Sequence, residues 1–227
     1  MANVGFRIFM TPKRTKRELV EAFTGMPVAN IADNMNRMSC IDSKIRPMNS
    51  APLLGTAFTV KCRPGDNLLL HKAIDMAEPG DIIVVDAQGD LTHAVIGELM
   101  ISWLQQRRVS GVIVDGAVRD AGHLRKINFP VYAAGVTPKG PYKEGPGEIN
   151  VPVSCGGVVV KPGDILVGDA DGVVVIDPAD APGILEKTKA HMLKEATATE
   201  DIKNNKWPRA WVDTMLGEKG CEYINDK

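Results

Sequence analysis

Between residues 55 and 114 the chain alternates short apolar runs with segments of helical spacing, and this alternation limits the folds open to it. Gly55 to Cys62 is rich in β-formers, and residues 82 to 85 and 111 to 114 are apolar runs short enough to be buried strands. Between them, Asn67 to Ala77 places Leu70, Ala73, Ile74 and Ala77 at helical intervals, and Gly97 to Arg107 reads as helix again. Strands that alternate with helices are joined by crossovers, which pair at least some of them in parallel. The expected class is α/β.

The flanks have a different texture. Thr15-Lys16-Arg17-Glu18 matches a capping box, with Leu19, Ala22 and Phe23 at apolar helical positions and Thr24-Gly25 as the stop. A second short helix is expected from Ala29 to Met38, and residues 39 to 52 read as loop. Past residue 130, short strands are expected over 131–134, 151–155, 158–160, 165–167 and 173–176. Gly156-Gly157 and Asp171-Gly172 are tight-turn signals between them. This part reads as antiparallel. The triplet Pro-Gly-Asp at 64–66, 79–81 and 162–164 has a plain reading as turn chemistry, its glycine at φ > 0. A last helix is expected from about Ala179 to Glu200. A helical arm over 201–227 would follow, whose Trp207 and Trp211 suit packing on a neighbouring subunit. One domain is the expectation for 227 residues.

Composition narrows the function. A formal net charge of -1 gives no global pull toward nucleic acid or an anionic membrane. No apolar run approaches the roughly 20 residues that span a bilayer. The start of the chain, Met1 to Arg7, lacks the basic-then-apolar pattern of a secretory signal. Cys40, Cys62, Cys155 and Cys221 have no CxxC spacing and read as reduced, mostly buried thiols. A cytoplasmic protein with neither nucleic acid nor membrane as partner is expected. His71, His93, His123 and His191 show no metal-ligand spacing. A Walker A loop, a GxSxG elbow, an HExxH helix and a GxGxxG fingerprint are missing.

Chemistry-bearing residues collect after the apolar runs. Asp115-Gly116-Ala117-Val118-Arg119-Asp120 follows the run at 111–114, and ligands of open α/β sheets gather beyond the carboxyl ends of such strands. Arg119 could grip a carboxylate through two parallel hydrogen bonds. Asp120 is a hard oxygen ligand of the kind Mg²⁺ or Mn²⁺ takes. An equal alternative is a surface pair in which Asp120 caps the next helix. Gly97-Glu98-Leu99-Met100 opens a helix whose first N–H groups are unpaired and could hold a carboxylate. Asp86-Ala87-Gln88-Gly89-Asp90 reads as a further loop on the same edge.

Taken in order, these motifs resemble the 4-hydroxy-4-methyl-2-oxoglutarate/4-carboxy-4-hydroxy-2-oxoadipate aldolase family, which shares its fold with the regulator of ribonuclease activity A (RraA) proteins. The matching stretches begin with Pro64-Gly65-Asp66-Asn67, residues 80–87 and Gly97-Glu98-Leu99-Met100. They continue through Val114 to Asp120, Val151-Pro152-Val153 and residues 163–173. The likeness covers about residues 24–200, leaving 201–227 as the arm. It implies a swivelling β/β/α-type fold with N-terminal helices, assembled as trimers or hexamers around active sites shared between subunits. It also implies a class II, Mg²⁺- or Mn²⁺-dependent lyase acting on a 2-oxo acid, with oxaloacetate decarboxylation as a side activity. Asp120 matches the metal ligand, Arg119 a substrate contact, and the backbone at Gly97, Glu98, Leu99 and Met100 the carboxylate cradle. Lys143 matches a pocket lysine, and Glu195 a carboxylate supplied by the neighbouring subunit. One position departs: the aldolases usually carry an acid where this chain has His123. A non-catalytic regulator that binds a ribonuclease is the alternative of this fold.

Overall fold

A computed structural model of the chain describes residues 3–224. The chain begins with β1 (Phe6–Ile8), α1 (Arg17–Glu21), α2 (Val28–Asp33) and β2 (Arg46–Pro47). It continues with β3 (Leu53–Cys62), α3 (Leu68–Met76), β4 (Asp81–Ile96), α4 (Glu98–Gln106) and β5 (Gly111–Val118). Then follow α5 (Ala121–Leu124), β6 (Val131–Val136), β7 (Gly147–Ile149), β8 (Val153–Cys155) and β9 (Val158–Val160). Last come β10 (Ile165–Asp169), β11 (Gly172–Ile176), α6 (Ala181–Lys203) and α7 (Ala210–Glu218). Two units are distinguished, residues up to Thr188 and residues from Lys189 onward.

Among the described residues of the first unit, nine strands join one sheet in the order β1-β7-β3-β4-β5-β6-β2, with β10 on β3 and β11 on β10. β3, β4, β5 and β6 run parallel, as the helical crossovers require. The sheet forks at β3, where β10 pairs residues 53–56 and β7 pairs residues 60–62. Side-chain alternation sends Ile83, Val85, Val112 and Val114 into the core shared with α3 and α4. Ile82, Val84 and Ile113 point the other way, toward Val153 and Val160 of the separate β8–β9 hairpin. Every residue of β5 is buried, so this strand is the rigid centre from which the 119–120 segment projects.

The α/β class and the swivelling RraA-like architecture hold, while several local expectations change. Thr15 does not cap α1: its hydroxyl donates to Gly163 O at 2.6 Å, and no side chain caps the helix. α2 stops at Asp33 because Asn36 and Arg37 take left-handed φ values of +54° and +61°. The 86–90 segment is not a free loop but an irregular part of β4, which runs on to Ile96 with register shifts against β5. The region past residue 130 is not uniformly antiparallel, since β6 lies parallel to β5 and β7 parallel to β1. Only two of the four free cysteines are buried. Cys40 and Cys221 are exposed, whereas burial pushes the Cys62 thiol up to about 12. The three Pro-Gly-Asp turns behave as expected: Gly65, Gly80 and Gly163 sit at φ +75°, +94° and +95°.

In the second unit α7 buries no residue, and Arg209 stacks over Trp207 and Trp211 at 4.6 Å and 5.6 Å. No described helix is long and apolar enough to cross a membrane.

Candidate active site

The site follows from the register of two parallel strands. Ile96, the last residue of β4, pairs with Val118, the last of β5. The Arg119 N–H then donates to Ile96 O at 3.0 Å, so Gly97 and Arg119 leave the sheet side by side. From that point one strand turns into α4 and the other into α5. Both helices start at the carboxyl edge of the sheet, where their first N–H groups have no acceptor within the helix.

Asp120 occupies the N-cap position of α5 but does not cap that helix with its side chain. Its backbone sits in the left-handed region at φ +60°, which turns the carboxylate the other way. Oδ2 instead accepts the N–H of Glu98, the first residue of α4, at 2.9 Å. The capping alternative is therefore half right, because the carboxylate meets a helix start, but that of α4. Arg119 Nε lies 3.7 Å from the same oxygen, and both side chains keep more than two-fifths of their surface exposed. His123 Nδ1 lies 3.4 Å from Glu98 Oε1. The side chain at the departing position thus faces the Glu98 carboxylate.

The N-cap residue of α4, Gly97, has no side chain to cap it, and Asp120 occupies only the Glu98 N–H. Within it, Ile101 N–H reaches Gly97 O, whereas the N–H groups of Leu99 and Met100 have no intrahelical acceptor by the geometry of a helix start. They remain donors for an anion at the positive end of the helix. Arg119, Asp120, Val136, Thr137 and Pro138 line a depression of about 310 Å³. Two larger cavities, of about 930 and 650 Å³, lie against the N-terminal segment and contain neither Arg119 nor Asp120. The smaller one is the better candidate because it combines an exposed guanidinium with an exposed carboxylate, and that carboxylate reaches the first N–H of α4.

The segment from 137 to 144 supplies residues that spacing alone did not single out. Thr137 N–H donates to Val118 O, and a Cβ on Gly140 would lie 3.1 Å from Arg119 Nη1. The available signal was the Pro138-Lys139-Gly140-Pro141 stretch directly after an apolar strand, the position where loops gather function. Lys143 is exposed on this segment, and its charge, after burial, helps hold the His71 imidazole below its ordinary value. Gly97, Glu98, Arg119, Asp120 and the loop bearing Lys143 are thus brought together. Glu195 lies in the second unit, on α6, with Oε1 3.6 Å from His191 Nε2.

The donor set suits a hard divalent cation. Asp120 and Glu98 offer hard oxygens on partly exposed side chains. Among the described residues, no three or more His, Cys, Asp or Glu gather to hold an ion. Zinc in a protein site asks for at least three such ligands, whereas Mg²⁺ keeps several waters and needs only one or two carboxylates.

Comparison with known proteins identifies relatives of the chain. Residues 28–175 match the RraA-like family model, described as Aldolase/RraA. A Halalkalibacterium halodurans protein, provisionally named 4-hydroxy-4-methyl-2-oxoglutarate aldolase, is 37% identical over 201 residues, 88% of this chain and 96% of that one. The Streptomyces coelicolor structure of RraAS2, described as an unusual member of the RNase ES inhibitor RraA family, superposes with a TM-score of 0.74. It is 26% identical, covering 82% of this chain and 98% of that one. The RNA-processing inhibitor RraA from Thermus thermophilus is 30% identical with a TM-score of 0.61, covering 66% of this chain and 92% of that one.

Proposed function

The chain belongs to the Aldolase/RraA family, and on that premise we propose that it is a divalent-metal-dependent lyase cleaving 4-hydroxy-2-oxo acids beside their pyruvoyl group. One observation carries the reading: Asp120 and Arg119 meet at the start of α4, where the Glu98 N–H orients the carboxylate. That arrangement offers a hard ligand, a fixed positive charge and free backbone donors to one small anion.

Mg²⁺ or Mn²⁺ held by Asp120, with Glu98 nearby, would supply Lewis acidity to the keto oxygen of the substrate. The Leu99 and Met100 N–H groups receive the C1 carboxylate, and Lys143 the distal carboxylate. A base takes the C4 hydroxyl proton, C4 becomes a carbonyl as the C3–C4 bond breaks, and the pair of that bond moves onto the pyruvoyl unit as an enolate, which a proton at C3 converts to pyruvate. Arg119 faces the charge that grows on the enolate oxygen, a contact worth roughly 3 to 4 kcal/mol if it acts as one oxyanion donor. Oxaloacetate loses CO₂ to the same enolate and is a substrate on the same grounds. By resemblance to the family, Glu195 of a neighbouring copy would complete this centre, in a trimer or hexamer.

The test is pyruvate release from oxaloacetate after EDTA treatment, then after Mg²⁺ or Mn²⁺ is restored. Activity should vanish and return; a borohydride-trapped pyruvate adduct would instead mark a Schiff-base enzyme.

The regulator reading draws on a separate observation. Leu99 is 83% exposed and Trp103 50% exposed on α4, and such apolar side chains favour contact with protein. Self-assembly accounts for them equally, which leaves the lyase reading preferred.

A further inference from the structure

Asp66 and Asn67, in the first Pro-Gly-Asp turn, are buried, with 1% and 2% of their surfaces exposed. Their hydrogen bonds run in two directions. Toward the Lys143 segment, Asp66 Oδ2 accepts the Glu144 N–H at 2.7 Å, Asn67 N–H donates to Tyr142 O at 3.0 Å, and Tyr142 N–H donates to Gly65 O at 2.8 Å. The backbone on both sides of Lys143 is therefore tied to this turn. Toward α4, Asn67 Nδ2 donates to Val95 O at 2.8 Å and approaches Met100 Sδ at 3.6 Å. Asp66 itself is anchored by the Leu68 N–H at 2.9 Å and faces Arg63 at 3.4 Å. The far end of the Lys143 segment is pinned as well, since Ala94 N–H donates to Lys139 O at 2.8 Å.

We infer that Asp66 and Asn67 are positioning residues, a bracket that fixes the Lys143 segment against the start of α4 and so sets where Lys143 meets the substrate. The catalytic consequence rests on the lyase reading; the bracket itself does not. Charge makes Asp66 suited to the task, because an ionised carboxylate accepts an N–H more strongly than a neutral amide. Asn67 couples the two sides through two groups, its backbone N–H toward Tyr142 and its side-chain amide toward Val95 and Met100. Neither residue is placed against the reacting atoms. Their effect on turnover passes through Lys143 and the α4 donors.

The experiment has two arms, both on the full-length protein. In the first, amide hydrogen exchange is followed by mass spectrometry in wild type and Asp66→Asn. Exchange should rise about tenfold or more over residues 139–146 while β5 stays protected, as local opening predicts. In the second, metal-activated turnover of oxaloacetate is measured for Asp66→Asn, Lys143→Ala and the double variant. Asp66→Asn should raise KM about tenfold with kcat changed less than about threefold, as for lost binding rather than lost chemistry. In the Lys143→Ala background the same substitution should add less than about twofold, because residues acting through one group are not additive. Should Asp66→Asn not fold, Asn67→Ser retains the carboxylate, and it should raise exchange over 97–101 together with KM.

Unchanged exchange at 139–146, exchange raised equally in β5, or fully multiplicative effects with Lys143→Ala would each overturn the bracket. A wild-type protein without turnover would overturn the lyase reading alone, and the exchange arm would still decide the bracket.

Discussion

Gly97 and Asp120 stand so close that no side chain fits between them: a Cβ on Gly97 would lie 2.5 Å from Asp120 Oδ2 and 2.7 Å from Arg119 Cγ. Gly97 has φ -153°, ordinary extended backbone, so the glycine is required for space and not for its conformational freedom. Gly97→Ala should therefore push the two site residues apart while leaving the fold in place. A displacement of about 1 Å at a reacting centre can cost on the order of 10²-fold in rate, and a loss of that order is expected in steady-state turnover. Gly122→Ala is the control, because its Cβ meets nothing within 4 Å. Equal activity of both variants would contradict the proposed role of this contact.

Arg119→Lys tests the guanidinium. Its side chain spans from Gly97 to Gly140, and a point ammonium cannot reproduce that fork. Turnover should fall by roughly 10² or more, with kcat reduced more than KM is raised, as for a contact that strengthens in the transition state. A change confined to KM would make Arg119 a binding residue only.

A pH signature should appear in stability. Burial pushes the Asp66 carboxyl up, but the Glu144, Leu68 and Gly145 N–H groups and the Arg63 charge outweigh it and hold the carboxyl below its ordinary value. Folding therefore favours the ionised form, and this stability is fully present above about pH 4, where an unfolded Asp titrates. It is lost as pH falls through the lower folded value. Asp90 shifts in the same direction, whereas burial raises Asp164. The difference in urea stability between wild type and Asp66→Asn isolates the one group. That difference should shrink on acidification below about pH 4; a difference independent of pH would contradict the assignment.

Much of the centre of this fold was legible because its signals are local. The runs at 82–85 and 111–114 are apolar enough to be strands, and the helical spacing between them forces parallel pairing. The Arg119–Asp120 segment was visible as a strand end, and Gly97 to Met100 as the opening of a helix. What stayed hidden depends on distant partners. β1 and β7 have three residues each and little propensity of their own; they pair across the chain with Arg7 on Glu148 at 2.6 Å. The stretch from Asp86 to Asp90 reads as loop, yet it belongs to β4 because β5 continues beside it. Thr15 looks like a cap until Gly163 O, remote in sequence, takes its hydroxyl. Asp66 reads as a turn residue and Asn67 as the start of a helix, and nothing near them in sequence announces Tyr142, Glu144 or Met100 as their partners.

Assembly offers a further check. Leu91, Leu99, Trp103 and Val136 are exposed in the first unit, and Trp207, Trp211 and Met215 in the second. Light scattering at micromolar concentration should give a trimer or hexamer. A monomer would remove the neighbouring copy from which Glu195 is proposed to come.

The central claim is that Asp120, oriented by the Glu98 N–H, supports metal-dependent carbon–carbon cleavage. The most direct measurement is pyruvate release from 4-hydroxy-4-methyl-2-oxoglutarate and oxaloacetate by wild type and Asp120→Asn, each with EDTA and with Mg²⁺. Asn tolerates the left-handed backbone at position 120 and keeps an oxygen for the Glu98 N–H, so the variant should fold normally. The account predicts turnover by wild type with Mg²⁺ only, and none by Asp120→Asn under either condition. Wild-type protein that binds Mg²⁺ yet releases no pyruvate, or Asp120→Asn that retains full Mg²⁺-dependent activity, would contradict it.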